Sequence, residues 1–131
     1  MDPLISRNNP DNIHKPSGYT HVIETTSKKT LYISGQVALD KNGRLVGEND
    51  LRLQTKQIFE NLKNILESRG ATFKNVVKLT YFLVDMSQIQ HVRDIRDTYI
   101  AGDDLPASTA VEVKGLFRKD ILIEIEAIAV L

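Results

Sequence analysis

The segment from 121 to 131, at the end of the chain, constrains the fold most, because its side chains alternate and yet neither set is fully polar. Side chains of a β-strand point to opposite faces in turn. One face of this segment is wholly aliphatic and consists of Ile121, Ile123, Ile125, Ala127 and Ala129. The other face mixes aliphatic side chains with carboxylates and consists of Leu122, Glu124, Glu126, Ile128 and Val130. Since a solvated strand face is normally polar throughout, the segment predicts a long strand with a core face and a second face that also needs cover.

Apolar residues at helical spacing predict two amphipathic helices that pack on the core face of this sheet. The first runs from about 50 to Gly70, with a stripe formed by Leu51, Ile58, Phe59, Leu62, Ile65 and Leu66. We place Gln54 on its polar side, and Gly70 is suited to a left-handed helix end. The second, shorter helix follows a capping-box pattern from Ser87 to Gln90 and ends at Gly102.

Four further strands are predicted, at 19–25, 30–34, 76–84 and 107–113, with an irregular arm over residues 1–18. Residues 27–29 are interpreted as a hairpin connection between the first two strands. In the strand 76–84 the alternation places Val77 on the core face and Val76 on the other. The order ββαβαββ predicts one α+β domain spanning 1–131, with a mixed sheet and two helices on one of its faces.

Composition excludes several classes of function. The chain has 131 residues with 17 basic and 17 acidic side chains, so no overall field attracts nucleic acid or an anionic membrane. It has no cysteine, which excludes thiolate catalysis and favours a cytoplasmic location. The N-terminus lacks the apolar region of a signal peptide. Three scattered histidines, His14, His21 and His91, show no metal-site spacing and are interpreted as surface or packing residues.

The second face of the sheet also bears on assembly. Two helices can cover one face only, so we expect the other to be covered by further copies of this chain in a closed, symmetric oligomer. A monomer with a few exposed aliphatic side chains is the alternative, since such residues are common on protein surfaces.

Several segments in order resemble the YjgF/RidA family. They are Gly18-Tyr19 and residues 31–36, 54–70, 76–85, 106–113 and 123–129. The resemblance implies a chorismate-mutase-like fold assembled as a homotrimer around a central barrel, with small carboxylate-bearing metabolites bound between subunits. It also implies hydrolysis of enamines and imines, such as 2-aminoacrylate, to 2-keto acids and ammonia, without metal or cofactor.

The same resemblance implies the site residues. Glu124 corresponds to the catalytic glutamate, Tyr19 to a tyrosine of the pocket wall, and Ser34 with Gly35 to a turn that faces the ligand. Glu126, on the same strand face, is interpreted as an interfacial residue more readily than a catalytic one.

Ser108 stands where the family has an arginine that binds the substrate carboxylate. Loss of a buried, charge-assisted bidentate contact costs about 2–5 kcal/mol of binding. We hypothesise that Arg96 supplies the missing charge from another wall of the cleft. The alternative is that Arg93 and Arg96 are solvated helix charges.

Three functions therefore stay open. The first is an imine or enamine deaminase whose substrate choice is altered by Ser108. The second is a non-catalytic protein that binds a small metabolite, and the third is another hydrolase or lyase that uses the same cleft. An RNA-directed activity is the least favoured, since an aromatic fraction of 6% offers few platforms for stacking bases.

Overall fold

A computed structural model describes residues 4–131 of the chain. Its helices are α1 (Leu51–Ser68) and α2 (Ile89–Arg96). Its strands are β1 (Leu4–Asn8), β2 (Val22–Thr26), β3 (Thr30–Gln36), β4 (Val76–Leu83), β5 (Ala107–Glu112) and β6 (Ile123–Val130). No helix within the described range is long and apolar enough to cross a membrane.

The main sheet has four strands in the order β3-β6-β4-β5, and the terminal strand β6 lies in its interior. Strand β6 pairs antiparallel with β3 and β4, whereas β4 and β5 are parallel. Parallel neighbours need a crossover connection, and α2 lies in that connection. The predicted core face of the terminal segment is confirmed, since Ile121, Ile123, Ile125, Ala127 and Ala129 are all 3% exposed or less.

Both helices contribute to the core on this face of the sheet, as the spacing of their apolar residues predicts. Asp50 caps α1 by accepting a hydrogen bond from the Leu53 backbone N–H at 3.0 Å. Gly70, with φ of 74°, follows the end of the helix in the predicted left-handed conformation. The result is the expected α+β fold, with a mixed sheet and two helices.

The prediction for the N-terminal region is wrong in two respects. Residues 4–8 form strand β1, and β2 pairs with β1 in a separate two-stranded sheet, not with β3. Residues 27–29 thus join two sheets instead of closing a hairpin. The backbone N–H groups of Lys28 and Lys29 both donate to the Leu131 carbonyl. Leu131 therefore provides the hydrogen-bond acceptor for two backbone groups of this connection. Residues 1–3 of the predicted arm lie outside the described residues.

The boundaries of the second helix also differ from the prediction. Asp85, not Ser87, provides the cap, and it begins a short 3₁₀ turn over Met86–Gln88 before α2. The α-helix ends at Arg96 rather than near Gly102. Thr98 and Tyr99 donate to carbonyls three residues earlier, so the chain continues in tighter turns.

Two residues occupy faces that local patterning did not predict. The pairing of β4 with β6 shifts between Val76 and Lys78, and this bulge returns Val76 to the core and leaves Val77 partly exposed. Gln54 is fully buried instead of solvated. Its amide donates to the Gly47 and Asp120 carbonyls and accepts from the Leu122 N–H, so it stabilises two loops from inside the core.

Candidate functional site

Helix α2 places one arginine inside the protein. Arg96 is 7% exposed, so the alternative that it is a solvated charge is wrong, whereas Arg93 is exposed. Its Nε and Nη2 donate to Asp97 Oδ1 at 3.0 and 2.9 Å, and Nη1 donates to the Gly18 carbonyl at 3.0 Å. The guanidinium is therefore fixed in direction before any ligand binds.

The loop that carries Gly18 and Tyr19 is shaped to meet this arginine. Gly18 has φ of 80°, and a Cβ atom there would lie 3.0 Å from Arg96 Nη2, so only glycine allows this approach without strain. Thr20 attaches the loop to the start of β5, since its hydroxyl donates to the Leu105 carbonyl at 2.6 Å and its N–H to the Pro106 carbonyl at 3.1 Å.

Strand β5 brings Ser108 to the same place. Ser108 pairs with the buried Leu79 in the parallel register, so it lies on the sheet face that the helices cover. A cavity of about 40 Å³ is lined by Tyr19, Arg96 and Ser108, together with Gly18 and Tyr81, and the exposed Arg93 contributes a second cation to its wall. We call the first five residues the helix-side half-site. It unites three of the predicted substrate-binding residues.

Tyr81 was missed as a site residue, because strand alternation assigns it to the core. It is 3% exposed, and its hydroxyl has no hydrogen-bond partner in the described part of the chain. Burial raises the pKa of Tyr81 to about 12, although the adjacent Arg96 guanidinium acts in the opposite direction through its charge and its approach to the phenol oxygen. That approach does not reach the geometry of a hydrogen bond among the described residues. A buried tyrosine normally has a hydrogen-bond partner for its hydroxyl. A tyrosine at a core-facing strand position is therefore the sequence signal that could have indicated a polar site here.

Tyr19 contacts His14 and His21, two of the histidines that the sequence analysis interprets as surface or packing residues. Its hydroxyl lies 2.8 Å from His14 Nε2, and its ring packs edge-on against His21 with 5.3 Å between centroids. These contacts hold the phenol ring at the mouth of the helix-side half-site.

The remaining predicted residues lie on the opposite face of the sheet. The pairing of β3 with β6 shifts between Ile33 and Gln36, and this bulge contains Ser34 and Gly35. A Cβ atom at Gly35 would lie 2.5 Å from Glu124 Oε2, so the Glu124 carboxylate rests directly against the glycine backbone. We call Ser34, Gly35 and Glu124 the rear half-site.

The Glu124 side chain is partly exposed. Among the described residues it forms no hydrogen bond and no ion pair. An unpaired carboxylate at a bulge is free to accept a proton from a ligand or water. No group of three or more potential metal ligands is present within residues 4–131.

The two half-sites do not form one pocket within a single chain. Glu124 pairs with Phe82, whose neighbours along β4, Tyr81 and Leu83, point into the core. Glu124 therefore projects away from the helices, while Ser108 and Arg96 lie on the helix side. The rear face also leaves apolar side chains in contact with water, above all Tyr32, which is 79% exposed.

The mixed four-stranded sheet, its two helices and the bulged glycine beside a strand glutamate define an α+β protein with the RidA-like fold. The family model described as Endoribonuclease L-PSP matches residues 10–131. The chain belongs to this family, which confirms the resemblance to YjgF/RidA proteins.

Individual relatives agree with this assignment. A RutC family protein of Pyrococcus horikoshii is 41% identical over 121 residues, which cover 91% of this chain and 92% of that protein. The 2-iminobutanoate/2-iminopropanoate deaminase of Mus musculus is 43% identical over 102 residues, or 78% of this chain and 74% of its own length. A crystal structure of a Rid family protein of unknown function from Yersinia pestis superimposes with a TM-score of 0.88 and 38% identity, covering 97% of this chain and 98% of that one.

Proposed function

We propose that this protein hydrolyses small imines or enamines that carry a carboxylate, and releases 2-keto acids and ammonia. The Glu124 carboxylate carries the proposal, because it lies against Gly35 at the position of the family glutamate and has no partner within residues 4–131. The similarity to the mouse protein named as an iminobutanoate and iminopropanoate deaminase supports the same reaction class.

The reaction needs only a proton carrier and a positioned water. Glu124 accepts a proton from water while the water oxygen bonds to the imine carbon and the C=N electron pair moves to nitrogen. The carbinolamine so formed receives the proton on nitrogen from Glu124. Its C–N bond then breaks as the hydroxyl proton is lost and transferred to nitrogen, which gives the ketone and ammonia. An enamine enters the same sequence after protonation at carbon to the imine.

We also propose that the working unit is a homotrimer in which each cleft combines two subunits. The half-sites lie on opposite faces of one sheet, so a small ligand reaches both only where the rear face of one subunit meets the helix-side half-site of another. The exposed apolar side chains of the rear face support such a contact, since a face of this kind is normally covered. Closed cyclic symmetry would bury all copies of that face equally.

Ser108 favours a second candidate, a protein that binds a metabolite without turning it over. A neutral hydroxyl cannot replace the bidentate fork of an arginine. In the deaminase proposal, Arg96 compensates from α2, because it lines the same cavity as Ser108. Another hydrolase or lyase reaction in the same cleft is the third candidate function. We do not favour RNA as a substrate, since the net charge is zero and phosphate contacts dominate nucleic-acid affinity.

The test is a coupled assay in which an amino-acid oxidase or a dehydratase generates the imine in place. The protein should accelerate keto-acid release, and Glu124→Gln should abolish the acceleration while the fold is retained. Glu126→Gln is the matched control, since Glu126 is the next carboxylate on the same strand face and is exposed. Lack of acceleration over a panel of imines would contradict the deaminase and leave the binding protein.

A further inference from the structure

Tyr81 is a buried polar residue that the proposed reaction does not yet use. Its side chain is 3% exposed and its hydroxyl lacks a partner among residues 4–131. Leaving such a group unsatisfied destabilises the folded protein. Such a group is therefore normally completed by a water, an ion or a ligand, or it is retained for a functional reason.

The cavity beside Tyr81 is a reasonable place for that partner. It measures about 40 Å³, which exceeds the roughly 10–15 Å³ that a single water requires. It has room for a compact head group but not for a ring. Its lining brings together the Tyr81 ring, the Ser108 strand position and the Arg96 guanidinium.

Arg96 lines this cavity and has N–H donors that its bonds to Asp97 and Gly18 do not use. An arginine has five N–H donors. Three of them are used in the bonds to Asp97 and Gly18, which leaves two, one on each Nη atom. Because the three existing bonds fix the plane of the guanidinium, the free donors cost little side-chain entropy to employ.

We propose that Tyr81 is a specificity-determining residue, whose hydroxyl joins Arg96 and Ser108 in a relocated subsite for the carboxylate head group of the substrate. The inference rests on the proposed function for the identity of its ligand. The two oxygens of a carboxylate accept from Arg96 and from the two hydroxyls, in place of the single fork of the family arginine. Tyr81 remains a protonated donor at neutral pH because burial raises its pKa to about 12.

The experiment measures binding of 2-oxobutanoate, the keto acid that 2-iminobutanoate would yield, by titration calorimetry with the full chain. Tyr81→Phe removes one hydroxyl without changing the volume of the side chain. A lost bond to a charged group weakens binding by about tenfold or more. The midpoint of thermal unfolding should be unchanged or higher, because the hydroxyl that is removed has no hydrogen-bond partner among residues 4–131.

Two controls isolate the head group. Tyr99→Phe removes a hydroxyl that donates to Glu60 at 2.6 Å, away from the cavity, and should lower stability but leave the affinity unchanged. Butanone, which lacks the carboxylate, should not bind measurably. An affinity for 2-oxobutanoate that changes less than twofold in Tyr81→Phe would overturn the proposal, and so would equal binding of butanone.

The outcome separates this proposal from the proposed function. If the protein binds 2-oxobutanoate in a Tyr81-dependent way but accelerates no imine hydrolysis, the subsite stands and the deaminase fails. If the protein hydrolyses 2-iminobutanoate and Tyr81→Phe leaves KM unchanged, the deaminase stands and the subsite fails.

Discussion

The helix-side half-site and the rear half-site differ in how the protein holds their charged groups. Arg96 is buried and fixed by three hydrogen bonds, whereas Glu124 is partly exposed and has no such partner in the described chain. A group that only recognises charge gains from being fixed, since less entropy is lost on binding. A group that must both take and give a proton gains from having no competing partner. The contrast thus supports a division between recognition on one face of the sheet and chemistry on the other.

The largest effect is expected when the rear half-site is disturbed without disturbing the fold. In Gly35→Ala the new Cβ would lie 2.5 Å from Glu124 Oε2, so the carboxylate must move. The Cδ and Cγ atoms of Glu124 would also lie only 2.7 and 2.9 Å from the new Cβ, so most of the side chain must rotate. Because this side chain is flexible and partly exposed, the thermal midpoint should stay within a few degrees. A displacement of about 1 Å costs on the order of 100-fold in rate, which the coupled imine assay would measure.

The matched control for this change is Gly115→Ala, since a Cβ atom there meets nothing within 4 Å. If Gly35→Ala retained full activity, Glu124 would not need its observed position for the reaction. The assignment of the chemistry to the rear half-site would then be wrong.

The alkaline limit of stability tests the burial of the helix-side half-site. The pKa of Tyr81 is raised to about 12 from the ordinary value of 10.0. A raised folded-state pKa gives stability that is complete below pH 10 and is lost as the pH rises toward 12. From the size of this shift, the wild-type protein should lose about 2 kcal/mol more than Tyr81→Phe between pH 9 and pH 12. Urea unfolding at both pH values measures this, and equal losses in the two proteins would show that Tyr81 is not buried as described.

The sequence predicts those parts of the fold that depend on local periodicity. The core face of β6, the stripe of α1 and the end of that helix at Gly70 follow from spacing alone. The pairing of β1 with β2, the bulge that returns Val76 to the core and the burial of Gln54 depend on partners distant in the chain, and alternation cannot supply them. The same holds for the candidate site: the resemblance predicts Glu124, but the approach of Tyr81 to Arg96 requires the parallel pairing of β4 with β5 and the packing of α2 above it.

A smaller effect is expected from the loop that faces Arg96. Gly18→Ala places a side chain at φ of 80° and 3.0 Å from Arg96 Nη2, which costs about 1–2 kcal/mol of stability for the left-handed backbone. It should also weaken binding of 2-oxobutanoate, since the guanidinium is displaced.

Gly43→Ala separates these two consequences. Gly43 has φ of 76° and open space around its Cβ position, so it should show a similar loss of stability without any change in affinity. Equal affinities in the two variants would mean that the direction of Arg96 does not matter for recognition.

The smallest effect concerns the attachment of that loop to β5. Thr20→Val removes the hydroxyl that donates to the Leu105 carbonyl at 2.6 Å and should cost about 1 kcal/mol of stability. Because the bond holds Tyr19 beside Ser108, KM for 2-iminobutanoate should rise about threefold with kcat nearly unchanged, which corresponds to roughly half of that free energy. Thr98→Val removes a bond of the same length to the Ile95 carbonyl, outside the site, and should leave KM unaltered. A fall in kcat in Thr20→Val instead would indicate that the helix-side half-site takes part in the chemistry as well as in recognition, and the division between the two faces would then have to be abandoned.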